Sequence, residues 1–266
     1  MQRTLKGLIK KTGLRRTTLA AARMCCERHV LAAVGQRRVR TGGRIFCYHS
    51  VGQPVWGVND VSPARFRRQI ELALRAGYRF VPASEIAVSG GGPRDLAITF
   101  DDGLSSTLTT AAPILAEYGV PWSLFVVSDW ADGDHTFEDG VMLRWSEIEK
   151  VAALGAEIGS HSVTHPNFSW LSPEQTLDEL ARSRRTIEQR LGIAPTSFAI
   201  PLGQSGNWPE VAAEAARQVG YTTVYAQAEE TRPGQTVART FVTRFDDDRI
   251  FSAALGGVFD RWEEWV

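Results

Sequence analysis

The sequence predicts an α/β fold: one domain, residues 44–266, built as a (β/α) barrel of about seven units, with residues 1–43 as a basic helical extension. Three observations predict it. From residue 44 onward, short apolar runs alternate with helix-patterned segments, the signature of a parallel sheet with helical crossovers. Gly77, Gly119, Gly155, Gly192 and Gly220 each stand where a helix should stop, because a residue without Cβ takes a left-handed C-terminal cap at little cost. The chemistry-bearing residues fall just after the apolar runs, where barrels place their sites. Seven or eight units in about 220 residues favour a closed or nearly closed barrel over an open sheet.

In chain order, Arg44 to Tyr48 reads as a strand, Pro63 to Ala76 as a helix with Phe66, Ile70 and Leu74 on one face, and Arg79 to Val81 as a short strand. Leu96 to Phe100 (strand), Thr107 to Tyr118 (helix), Trp122 to Val127 (strand), Trp145 to Leu154 (helix) and Glu157 to Gly159 (strand) follow. Pro173 to Leu191 is a long helix with Ser172 as its cap. Ser197 to Ile200 (strand), Glu210 to Val219 (helix), Thr222 to Tyr225 (strand) and Arg239 to Val242 (strand) complete the series.

The formal net charge of zero conceals a division. Residues 1–40 hold eleven Lys and Arg against one acid, Glu27, and the remainder carries a net charge of −10. Leu5, Leu8 and Ile9 begin a loose apolar stripe that Leu14, Leu19, Met24, Val30, Leu31 and Val34 continue. A solvated basic extension, or a helix packed on the domain, is the simpler reading; peripheral contact with an anionic membrane is the alternative, and nucleic acid is disfavoured. Arg15-Arg16 is faintly similar to a twin-arginine signal, but Arg23, Glu27, Arg28 and His29 interrupt any apolar core. The expected location is therefore cytoplasmic, at most peripheral on the inner membrane surface. No apolar run reaches the length of a membrane span. Cys25, Cys26 and Cys47 are odd in number and without a CxxC pattern, which agrees with a reducing compartment.

The run Leu96–Phe100 stops at Asp101-Asp102-Gly103, and a second run, Ala156–Gly159, precedes His161 and His165. Successive strand residues face opposite sides, which gives the two aspartates different jobs. One carboxylate and two imidazoles leave a divalent metal an open position. The second aspartate is then free to act as a base, and hydrolysis by a water activated on the metal is the reaction suggested. Adjacent aspartates before glycine can instead be a plain turn, but the joint occurrence of both clusters at one barrel face outweighs that reading.

Phe46-Cys47-Tyr48-His49-Ser50-Val51, Thr99-Phe100-Asp101-Asp102-Gly103, His161-Ser162-Val163-Thr164-His165-Pro166 and Phe198-Ala199-Ile200-Pro201-Leu202-Gly203, in that order, resemble the polysaccharide deacetylases (carbohydrate esterase family 4, the chitooligosaccharide-deacetylase homology domain) over residues 44–255. The resemblance implies a deformed (β/α) barrel with fewer than eight units and one divalent metal, usually Zn2+, with Co2+, Ni2+ or Mn2+ as alternatives. Asp102, His161 and His165 would be the metal ligands, Asp101 the general base, and the Leu202 backbone N–H a donor to the oxyanion. Many members protonate the leaving amine with a C-terminal histidine, and no histidine follows His165 here. In a circularly rearranged branch of the family a Tyr-His after the first strand plays that role, so His49 is assigned as general acid. The third motif has Ala199 where its arginine is usual and Leu202 where an aromatic is usual; Arg239 could approach Asp101 instead.

Trp122, Trp130, Trp145, Trp170 and Trp208 could line a sugar cleft. Trp145 is assigned to the core, while Trp208, beside the Gly203–Asn207 loop, is taken with Arg239 as a substrate contact. Asp246-Asp247-Asp248 reads as a solvated turn. The expected activity is metal-dependent removal of an N-acetyl (acyl) group from an amino sugar of a polysaccharide or glycan precursor. An N-deformylase of a modified amino sugar is the enzymatic alternative, and an inactive glycan-binding barrel the alternative of another class.

Overall fold

Seven parallel strands close on themselves in the computed structural model, which describes residues 16–227 and 233–262. They are β1 (Arg44–Tyr48), β2 (Asp95–Phe100), β3 (Trp122–Val126), β4 (Glu157–Ser160), β5 (Ser197–Ala199), β6 (Thr223–Gln227) and β7 (Val237–Phe241). Each pairs with its successor, and β1 closes the ring by pairing with both β2 (Phe46 opposite Ile98) and β7 (Phe46 opposite Thr240). A two-residue strand, Arg79–Phe80, lies along the start of β2 on the edge that β3 takes further up.

Helices α1 (Arg16–Val34), α2 (Pro63–Arg75), α3 (Ala83–Ser89), α4 (Ala112–Glu117), α5 (Ser128–Asp132), α6 (Trp145–Ala153), α7 (Pro173–Leu191), α8 (Glu210–Val219) and α9 (Asp248–Leu255) complete the described elements apart from short turns and a separate pair of two-residue parallel strands, Ser50–Val51 with Asp60–Val61. The strands bury both faces, as parallel sheets do. Phe46, Ile98, Phe100, Leu124 and Val126 point outward into the layer packed under the helices, each burial contributing about 1.5–3 kcal/mol. Ile45, Ala97, Phe125, Ala199 and Tyr225 point inward and meet Val81, Ala83 and Ile86, so α3 closes the N-terminal end of the barrel. Gly159 in β4 makes room for this plug, since a Cβ there would overlap the Phe125 ring.

The expected elements recur with shifted ends. The helix expected from Thr107 starts as a π-helical turn, Thr107–Ala111, before α4. The last strand starts at Val237, which puts Arg239 at its middle rather than its start. Helices α3, α5 and α9 have no counterpart in the sequence reading, two of them being too short to show a period.

The basic segment also differs from a purely solvated helix. Arg28 of α1 is fully buried, paired with Asp246, which is itself fully buried. Asp247 caps α9 by accepting from the Arg249 and Ile250 N–H groups, so only Asp248 of the acidic triplet fits the solvated-turn reading. The Leu5, Leu8, Ile9 and Leu14 part of the apolar stripe lies outside the described residues. Among the described residues no helix is long and apolar enough to cross a membrane.

Candidate functional site

At the C-terminal end of the strands the barrel interior changes from apolar to polar. Asp101 continues the inward parity of Ala97 and Thr99, and its N–H still bonds the Tyr48 carbonyl at 3.0 Å. Asp102 should then face outward, away from it, but it does not. Gly103 N–H donates to the Asp101 carbonyl at 3.0 Å across Asp102, whose φ is +75°. This is the rarer, strained form of the γ-turn, and it swings the Asp102 carboxylate back over the rim into the cleft that Asp101 also lines. Strand parity, which sets the two carboxylates on opposite sides, therefore fails at Asp102, and both line one cleft.

Asp102, His161 and His165 form the one group of potential metal ligands among the described residues, with donor atoms all within 4.8 Å of one another. The Nε2 atoms of His161 and His165 lie 3.5 and 3.6 Å from Asp102 Oδ1. That oxygen is buried without a hydrogen-bond partner, an expensive arrangement for a carboxylate unless a cation occupies the space. The chemistry of the donors fits as well. His161 Nδ1 bonds the Ala199 carbonyl at 2.8 Å, which puts the proton on Nδ1 and leaves the Nε2 lone pair facing Asp102. Burial holds His161 down at about 3 and His165 at about 4, so both are neutral, as ligands must be. Burial, and next the Asp101 charge, push Asp102 up to about 6 against the pull of His49; a cation would reverse that penalty.

The loop that carries His165 is held from beneath. Glu179 of α7 accepts the N–H groups of Val163 (2.8 Å) and Thr164 (3.0 Å) and the Thr164 hydroxyl (2.7 Å). Ser162 Oγ accepts the His165 N–H at 2.9 Å. Asp102, Ser162, His165 and Leu202 are four of the five non-glycine residues with positive φ among those described. Such strain collects where the surroundings over-determine the backbone.

Arg239 reaches Asp101 as the sequence suggested, in a bidentate pair of 2.6 and 2.7 Å in which both side chains are buried. Burial alone would raise the Asp101 carboxyl, but the Arg239 charge, together with its hydrogen bonds and the neighbouring His161 and His49, outweighs it and holds the group well below the usual carboxylate range. Arg239 also bonds Thr99 Oγ1 at 3.2 Å and sits 5.3 Å from the Phe125 ring centre, so the plug supports it. Committed in this way to Asp101, the guanidinium is a poor candidate for the substrate contact expected of it.

His49 lies on the wall of the same cleft, its Nε2 4.0 Å from Asp102 Oδ2. Leu202 sits on the opposite rim with φ +64°. Gly203 N–H bonds the Ile200 carbonyl at 3.0 Å, and Pro201 fixes a negative φ, so the four residues form a type II turn with leucine where glycine is usual. Gln227 ties that turn to β6 by accepting nothing from it and donating twice, side chain to the Leu202 carbonyl (3.2 Å) and N–H to the Gly203 carbonyl (2.9 Å).

The remaining expected contact does not reach the cleft. Trp208 is buried, stacked on Phe198 at 5.3 Å and packed on Phe168 in a separate apolar cluster. Its place in a polar stretch suggested exposure, but Phe198, facing outward from β5, draws the ring into the core. Trp56 and Trp130 line the cleft instead. Trp56 Nε1 donates to Asp102 Oδ2 at 3.1 Å, and Trp130 stacks on His165 with centroids 5.3 Å apart. Nothing in the sequence around Trp56 signalled it. Glu179 left a signal, a carboxylate inside the buried stripe Thr176, Leu180, Ser183 and Ile187. Cys47 also belongs to the site wall, donating from Sγ to Asp101 Oδ2 at 3.3 Å. The cleft encloses about 370 Å³, and its donors can polarise, deprotonate and hold a carbonyl compound.

Comparison with known proteins agrees with this fold. A chitooligosaccharide deacetylase of a Bradyrhizobium species is 24% identical over 187 residues, 67% of this chain and 74% of that one. YxkH of Bacillus subtilis, provisionally named a polysaccharide deacetylase, is 27% identical over 47% of this chain, which spans only 41% of YxkH. In fold, IcaB from Ammonifex degensii superposes with a TM-score of 0.69 at 24% identity, covering 83% of this chain and 99% of that one. The polysaccharide deacetylase family model matches residues 89–224, a span that runs from the end of α3 to β6 and takes in Asp101, Asp102, His161, His165 and Leu202. Just over half of the sequence is thus accounted for by that model, and the chain belongs to the polysaccharide deacetylase family.

Proposed function

We propose that the protein is a metal-dependent N-deacetylase that removes an acetyl (acyl) group from an amino sugar of a polysaccharide or glycan precursor. The observation that carries this reading is the unpartnered, buried Asp102 Oδ1 between the Nε2 atoms of His161 and His165, beside a second carboxylate kept ionised by Arg239. Asp102, His161 and His165 would hold the cation, and two imidazoles with one carboxylate suit Zn2+. When bound, such a cation supplies Lewis-acid polarisation of the acyl oxygen and lowers the pKa of water towards 7. Asp101, ionised and 3.8 Å from His161 Nε2, accepts the proton of the attacking water. The Leu202 N–H, on a turn held by Gln227, donates to the oxyanion. His49 gives its proton to the departing amine nitrogen as the C–N bond breaks. Trp56 and Trp130 offer ring faces to the sugar.

The test is metal analysis followed by acetate- and formate-release assays on a panel of N-acylated amino sugars. One equivalent of metal and acetate release are expected. Asp101→Asn should keep the metal and lose turnover by about 10²–10⁴-fold; wild-type rates there would remove Asp101 from the mechanism. Formate release without acetate would favour the deformylase, and an inert, metal-free protein the glycan-binding barrel.

A further inference from the structure

His49 lacks the usual device for aiming a catalytic imidazole. His161 is fixed by a bond from Nδ1, whereas His49 Nδ1 is buried with no hydrogen-bond partner among the described residues. Its ring instead meets the edge of Phe241, with centroids 5.2 Å apart and planes at 84°. The aim of His49 therefore depends on where Phe241 stands. Phe241 is the last residue of β7, and the chain beyond it leaves the barrel towards α9.

That departure is pinned by Arg28 of α1. Arg28 Nη2 donates to the Phe241 carbonyl at 3.2 Å, Nε donates to Asp246 Oδ1 at 2.6 Å, and Nη2 also pairs with Asp246 Oδ2. The guanidinium lies 4.5 Å from the ring centre of Phe259 and 4.8 Å from that of Trp262, so aromatic faces hold the cation where water does not reach it. Asp246 carries the link to the other side of His49. Its carbonyl accepts from Gln69 Nε2 at 2.9 Å, and Gln69 Oε1 accepts from the hydroxyl of Tyr48, the residue directly before His49, at 2.9 Å. Both the backbone neighbour of His49 and the ring it packs on are thus tied to one buried ion pair. Both halves of that pair, like His49 itself, lie outside the span matched by the family model, and one of them comes from the N-terminal helix.

We infer that α1 is a working part of the site: Arg28 is a positioning residue that holds Phe241, and through it the His49 ring, at the cleft wall. This rests on the reading of His49 as proton donor to the leaving amine. A proton donor matters where the C–N bond of an amide breaks, because the amine must leave protonated. It matters little for 4-nitrophenyl acetate, whose C–O bond breaks to give a stable phenolate.

The experiment compares Arg28→Met, Arg28→Lys and the double variant Arg28→Met/Asp246→Asn, which removes the buried charge of both partners should the single variant fold poorly. Turnover per folded molecule is measured on the best N-acetylated amino sugar of the panel and on 4-nitrophenyl acetate, with bound metal quantified in each. The ratio of amide to ester turnover should fall at least tenfold in Arg28→Met at unchanged metal content, with partial recovery in Arg28→Lys. Diethyl pyrocarbonate should modify the loosened His49 several times faster. Parallel loss on both substrates, or an unaltered modification rate, would reduce Arg28 to a structural residue and overturn the inference. His49→Ala separates the two layers of argument. If it keeps the wild-type ratio, the reading of His49 fails; if it lowers the ratio and Arg28→Met does not, only the role of Arg28 fails.

Discussion

The two ends of the barrel interior are built from the same strands, often from residues two apart, yet they are chemically unlike. Below, Ile45, Ala97, Phe125 and Tyr225 interlock with α3 and expose nothing that ionises at neutral pH. Above, Cys47, Thr99, Asp101 and Arg239 take the same inward positions on β1, β2 and β7. The lower layer needs only volume and shape, which many apolar sets satisfy. The upper layer needs each charge to have its partner, because a lone buried charge costs several kcal/mol. The difference teaches where a substitution should be felt as lost stability and where as lost chemistry.

Arg239→Met should produce the largest effect. It leaves Asp101 buried without its bidentate partner, which costs about 3–5 kcal/mol for a broken buried pair and raises the Asp101 pKa. Denaturant melts and turnover should therefore both collapse. Ile86→Ala, at the floor, should cost about 2–4 kcal/mol as a cavity and leave turnover per folded molecule near wild type. Equal losses of turnover at the two ends would dissolve the distinction between them.

Metal removal should act on the upper layer alone, through Asp102, His161 and His165. A cation present at a hundredfold its dissociation constant stabilises the folded state by about 2.7 kcal/mol. Melting temperature should rise with added Zn2+ in the wild type and stay flat in His161→Ala. A flat wild-type titration would mean that these three side chains hold no cation.

Of the lower layer only the strands were legible, as apolar runs along β1 and β2: both faces are buried, so parity alone could not say which turns inward, and α3, which closes that end, is too short to leave a period. Asp101, His161 and His165 were legible for a related reason, being residues of telling chemistry at the ends of apolar runs. Legibility failed where the backbone leaves regular geometry or the partner is remote. The left-handed turn at Asp102 reverses the parity rule. Trp56 reaches Asp102 across 46 positions and Arg28 reaches Asp246 across 218, and no local pattern records such pairings. Trp208 was misjudged because a polar loop says nothing of the apolar ring beneath it.

The smallest expected effect is the most pointed test of the rim, because it turns on backbone strain alone. Leu202 is 40% exposed and holds φ at +64°, so its side chain adds little burial while its Cβ crowds the left-handed backbone. Leu202→Ala keeps that crowding and Leu202→Gly removes it. In ordinary conformations glycine is the less stable of the two by about 0.5–1 kcal/mol, because its unfolded chain is freer. Here the order should invert, with Leu202→Gly the more stable by about 1 kcal/mol, the cost of holding a Cβ in that region. Turnover should separate the same pair in a second way. The N–H proposed to face the oxyanion is present in both, but the Gln227 bonds must hold a freer turn in the glycine variant, so its turnover should be the lower by a few-fold. If alanine proved the more stable, the left-handed turn would not be the state that the protein occupies in solution, and the Leu202 N–H would not be aimed by it.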